Sequence, residues 1–149
     1  MRYFDDAGDP QQRRLYAAEE AVIDEIGPRL RRWTEVQAFL ESVLVLPGYL
    51  DEFPDAPLDV ELQRRSRSAT ASLAVSGADT IFIRDGSWNA LTVLHELAHL
   101  VVASTGGTNE AHGATFAATE LHLVRLRCGF DQYGILLTSF QRHGVQRAL

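Results

Sequence analysis

The chain has 149 residues, of which 46% are apolar and 23% charged. That composition fits one globular domain and excludes a disordered or fibrous chain. Fourteen basic residues, all arginine, stand against twenty acidic ones for a net charge of −6, which argues against nucleic acid as a partner. A single cysteine, Cys128, excludes an internal disulfide and a cysteine-built zinc ribbon.

The opening MRYFDDAGDP has no apolar core of the kind a signal peptide carries. No apolar run approaches the ~18 residues of a membrane span, so the expected compartment is the cytoplasm. Residues 9–26 read as a first helix, with Leu15, Ala18, Val22 and Ile26 at helical spacing and Asp9 as a cap. Gly27 and Pro28 break it, and a second helix follows to about Val43 on the apolar face of Leu30, Trp33, Val36, Phe39 and Leu40. Its arginines Arg29, Arg31 and Arg32 read as a solvated face. Residues 46–57, with three prolines and a glycine, read as a loop between a helical part (1–45) and a core (58–149). Three strands are expected at about 60–67, 69–76 and 80–84, in a small, mostly antiparallel sheet. Helices are then expected from residue 87 or 89 to 104, from 110 to 127 and from 132 to 142. The fold class is α+β.

The helix over 89–104 carries His95-Glu96-Leu97-Ala98-His99. Positions i and i+4 lie one above the other on a helix face, so the two imidazoles can hold one metal ion. Glu96, about 100° round the helix, is placed to take a proton from a water that the ion activates. Burying two histidines and a glutamate on an otherwise apolar helix costs free energy unless something pairs with them. A catalytic zinc site needs a third protein ligand. Glu110, His112 and Glu120 are the candidates. His112 is preferred, because the connection at 104–111 is long enough to turn the next helix back with His112 in its first turn and Phe116 on the same face. Glu120 is next, either as ligand or as a carboxylate orienting a histidine.

HELAH followed by a glycine-containing connection and His112-Gly113-Ala114-Thr115-Phe116 resembles the SprT-like zinc metallopeptidases and small actinobacterial zincin-type metallohydrolases. The resemblance covers mainly residues 80–120. It implies a zincin-like fold, zinc as cofactor, His95, His99 and His112 as ligands, Glu96 as general base, and a peptide or protein substrate. It also implies that the strand at 80–84 is the sheet edge that receives an extended substrate. The chain departs from the DNA-acting members, which carry a zinc ribbon or other DNA-binding parts. The metzincin pattern is also absent, since residues 102 and 105 are Val102 and Thr105.

Two other readings stay open from the sequence: a metal-dependent hydrolase of a non-peptide amide, and a non-catalytic zinc-binding regulatory protein whose site a fourth side chain closes. Tyr133, His122 and His143 are candidates by residue type alone, and ordinary packing is the expectation for each. Trp88 reads as a core anchor, Cys128 as buried and inert, and Arg64, Arg65 and Arg67 as a solvated face or a contact for an acidic substrate or nucleic acid.

Overall fold

A computed structural model describes residues 8–106 and 111–148. Among the described residues, six helices and a three-stranded mixed sheet make an α+β arrangement. The helices are α1 (Gln12–Val22), α2 (Trp33–Leu44), α3 (Pro47–Glu52), α4 (Ala90–Ser104), α5 (Ala114–Cys128) and α6 (Phe130–Arg142). The strands are β1 (Glu61–Arg65), β2 (Leu73–Val75) and β3 (Thr80–Arg84). No helix among the described residues is long and apolar enough to cross a membrane.

α4 is the central element. Ten of its residues are buried, from Ala90 through Val101, and it packs against α2, α5, β2 and β3. The Asn89 side chain accepts a hydrogen bond from Thr92 N at 2.8 Å and caps its start. α5 packs on α6, and α1 on α6, where Ser139 Oγ donates to the Ala18 carbonyl at 2.7 Å.

The sheet departs from the expected pattern. Its order is β1-β3-β2, with β2 antiparallel to β3 but β1 parallel to it, Arg65 beside Arg84. β3 is therefore central, with Ile81 and Ile83 buried, and the edge strand near α4 is β2. The expectation that 80–84 forms the edge is corrected accordingly.

The remaining differences have local causes. α1 stops at Val22 and a 3-10 turn, Ile23–Glu25, follows. Asp9 does not cap it with its side chain, because that carboxylate is held by His112 instead. α2 begins only at Trp33; Glu35 Oε1 accepts from Arg31 N and Arg32 N and fixes its first turn, while Arg29 bridges to Asn89. Within the expected 46–57 loop, Pro47 opens the short helix α3. Its Tyr49 is buried and donates to the Pro57 carbonyl at 2.8 Å.

Gly27 carries the turn between α1 and α2. Its φ is +74°, and a Cβ there would lie 2.2 Å from Ala90 Cβ at the start of α4. Gly27→Ala is expected to cost roughly 2–5 kcal/mol, combining left-handed strain with overpacking. Gly106, at φ +73° with nothing within 4 Å, bears only the strain, and Gly106→Ala is expected to cost about 1 kcal/mol. Urea denaturation of the two variants measures the difference.

Candidate metal centre

His95 and His99 project from one face of α4. His112 approaches from the end of the connection before α5, two residues ahead of that helix rather than in its first turn. Their Nε2 atoms converge: His112 lies 3.1 Å from His99 and 3.3 Å from His95, and the three ligand atoms are all within 4.8 Å of one another. Phe116 lies against all three rings, with centroids 4.5–5.1 Å apart. The expected place of Phe116 is therefore the observed one.

The protons on these rings can be assigned from their partners. His95 Nδ1 is 2.5 Å from Glu19 Oε2, and His112 Nδ1 is 2.5 Å from Asp9 Oδ2. With Nδ1 as the donor in each bond, Nε2 carries a lone pair. Two Nε2 acceptors then face each other at 3.3 Å with no proton between them. Burial, followed by the neighbouring imidazoles, holds His99 down at about 2. Burial and His95 hold His112 down at about 4, although Asp9 opposes this. Both are therefore neutral at pH 7, the form that binds a metal.

The distances fit one ion. Nitrogens 2.0–2.1 Å from a tetrahedral zinc lie about 3.3 Å apart, close to the observed 3.1 and 3.3 Å. His95, His99 and His112 could thus hold a metal ion, and the Nδ1–carboxylate bonds would orient two of the three ligands. Glu19, His95 Nδ1 and Glu120 form a second buried group. Its 2.5 Å contact is a hydrogen bond, shorter than two ligands of one ion approach each other.

Glu120 stands behind His95, 3.7 Å from Nδ1, and is fully buried. Neither of its oxygens has a hydrogen-bond partner. Burial and the neighbouring Glu19 hold it well above the carboxylate range. Burial and the carboxyls of Glu96 and Glu20 also raise Glu19, to about 8, with Glu120 opposing the rise.

Glu96 is buried, its carboxyl raised by desolvation although His95 and Arg65 favour its ionised form. It opens on two adjoining clefts of about 290 and 330 Å³, which share Tyr16, Ser72, His95 and Glu96. The Tyr16 hydroxyl is 3.4 Å from His112 Nε2, and burial pushes it up to about 12, so it stays protonated.

The N-terminal segment also braces His112. Gln11 Nε2 donates to the His112 and Gln146 carbonyls at 3.0 and 3.1 Å, while its Oε1 accepts from Gln146 N. Asp9, Gln11, Tyr16 and Glu19 were not identifiable as site residues from sequence. In hindsight, the only signal is that Tyr16 and Glu19 lie near the helical face of buried Leu15 and Ala18.

The other candidates lie elsewhere. Glu110 falls outside the described residues. His122 faces Glu52 at 3.8 Å, His143 Nδ1 donates to the Ser139 carbonyl, and Tyr133 packs edge-on against Phe130. Trp88 packs beside Trp33 with the Arg64 guanidinium over both rings. Cys128 is half-buried, with its thiol pushed up by burial. The chain matches no family model, no curated protein and no solved structure.

Asp9→Ala and Glu19→Ala are each expected to weaken metal binding by about 10- to 100-fold. His112→Ala is expected to weaken it further, and Glu120→Gln, which keeps the side-chain volume behind His95, to change it little. Competition with a chromophoric chelator gives the order; a larger loss in Glu120→Gln than in His112→Ala would move the third-ligand role to Glu120.

Proposed function

We propose that the protein is a zinc-dependent hydrolase of peptide bonds, with His95, His99 and His112 as ligands and Glu96 as general base. The observation that carries this reading is the convergence of three Nε2 atoms at zinc-ligand spacing, beside a buried carboxyl that opens on a cleft. A bound zinc ion supplies Lewis acidity, lowering the pKa of a water and polarising a carbonyl.

Glu96 takes a proton from the attacking water and returns it to the leaving nitrogen. Its burial-raised pKa suits both steps, since the carboxyl must hold the proton between them. Tyr16 lines both clefts with Glu96 and keeps its proton. Its hydroxyl is therefore a donor for the negative charge that develops on the carbonyl oxygen. Asp9 and Glu19 hold the His112 and His95 rings in the tautomer that offers Nε2.

A closed structural site would need a fourth side chain. Glu120, the sequence candidate for that role, stands on the Nδ1 side of His95. A carboxyl without a ligand's task beside an accessible cleft favours turnover. The SprT-like resemblance points the same way.

The test has two readings. Elemental analysis of protein purified without added metal is expected to give one zinc per chain, lost to a chelator together with cleavage of a mixed peptide pool and regained on adding zinc. Glu96→Gln should keep the zinc and lower turnover by about 10²- to 10⁴-fold. An undiminished rate in that variant would overturn the mechanism.

A further inference from the structure

The 290 Å³ cleft runs from His95 and Glu96 to Arg84 on the sheet, with Glu19 and Glu20 on the α1 side. Arg65 and Arg84 are register neighbours on the parallel strands β1 and β3. Arg65 Nη1 donates to the Ala71 carbonyl at 2.6 Å. Arg84 donates through Nε to the Ala69 carbonyl at 2.8 Å and through Nη1 to Ser87 Oγ at 3.2 Å. Among the described residues no carboxylate lies within ion-pair distance of either guanidinium. The adjacent acid, Asp85, is taken by Arg64 in a two-pronged contact at 3.1 and 3.0 Å.

Arg67 joins this end. A Cβ on Gly86 would meet Arg67 Nη1 at 2.7 Å and Arg84 Nη1 at 3.4 Å, so the two guanidiniums flank the same glycine. Like charges at this range repel, and the Asp85 carboxylate acts on Arg67 as well as on Arg64. Arg84 is the one arginine among the residues that line the cleft holding Glu96. Arg84 Nη2 bonds to no described residue. Ser72 Oγ accepts from Arg84 N at 2.8 Å, which leaves its own O–H as a donor.

We propose that this end of the cleft is an anion subsite, in which Arg84, with Arg67 beside it, takes a carboxylate of the substrate. The inference rests on the hydrolase reading above and names its substrate class: peptides with an acidic group close to the bond cleaved. Either an Asp or Glu side chain or a free C-terminus supplies that carboxylate. A fixed guanidinium meets it with charge-assisted hydrogen bonds, while Glu96 at the other end acts on the amide.

Three probes with the same metal-binding head test this by calorimetry on the zinc-loaded protein: N-hydroxysuccinamoyl-alanine amide, which is neutral, the glutamate amide, and the alanine free acid. At least one charged probe is expected to bind about 10- to 100-fold tighter than the neutral one, with the advantage shrinking as salt rises. Whichever charged probe gains identifies the carboxylate as side-chain or terminal. Arg84→Gln should abolish the advantage and leave the neutral probe's affinity within about twofold, while Arg84→Lys should keep part of it. Equal binding of all three to the unaltered protein overturns the subsite without any variant. Equal weakening of neutral and charged probes in Arg84→Gln reduces Arg84 to a clamp on the 69–71 loop and overturns it too. Failure of the neutral probe to bind the zinc-loaded protein overturns the metal reading and the inference with it.

Discussion

The two short hydrogen bonds from His95 to Glu19 and from His112 to Asp9 are the constraint on which the site depends. Each fixes a ring's tautomer and orientation, and together they aim lone pairs at one point. Without them the Nε2 atoms could take the protons, and the 3.3 Å approach of His95 to His112 would be an ordinary hydrogen bond. With them, two acceptors face each other in a buried setting, an arrangement that a cation relieves and water satisfies poorly. The depressed pKa values of His99 and His112 have the same origin, because burial beside other imidazoles penalises the charged form.

The carboxylates come from the far end of the chain. Glu19 is 76 residues from His95 and Asp9 is 103 from His112, so α1 must dock before the histidines are oriented. Docking is itself driven by apolar burial of Leu15 and Ala18 and by the Ser139–Ala18 bond to α6. Metal-site geometry and the packing of α1 are therefore one cooperative unit. Gln11 extends that unit to the C-terminal tail by clamping His112 and Gln146 together.

How much of this was legible in the sequence follows from distance along the chain. His95, Glu96 and His99 were readable because helical geometry relates i and i+4 without any tertiary knowledge. His112 required a turn in the connection, which its glycines permitted but did not dictate. Asp9, Tyr16 and Glu19 were opaque, since a polar residue on an amphipathic helix looks solvated until its partner is known. Glu120 was half legible: its part behind His95 was among the alternatives, but its full burial and contact with Glu19 depend on α1. The parallel pairing of β1 with β3 was hidden for a similar reason. Neighbouring strands suggest hairpins, and β3 entering between β1 and β2 makes the β1–β3 pair parallel.

That strand order also decides how the cleft is walled. β3 is paired on both sides and cannot receive an added strand; of the two free edges, β1 and β2, that of β2 lies at the cleft, which Ser72, Leu73 and Ala74 line. The facing wall is α1, through Tyr16, Glu19 and Glu20. α1 thus bounds the space in which a substrate would lie and holds His95 through Glu19, while Asp9, in the turn before it, holds His112. Because Glu19 both lines the cleft and orients the His95 ring, the wall of the cleft and the geometry of the site share one side chain.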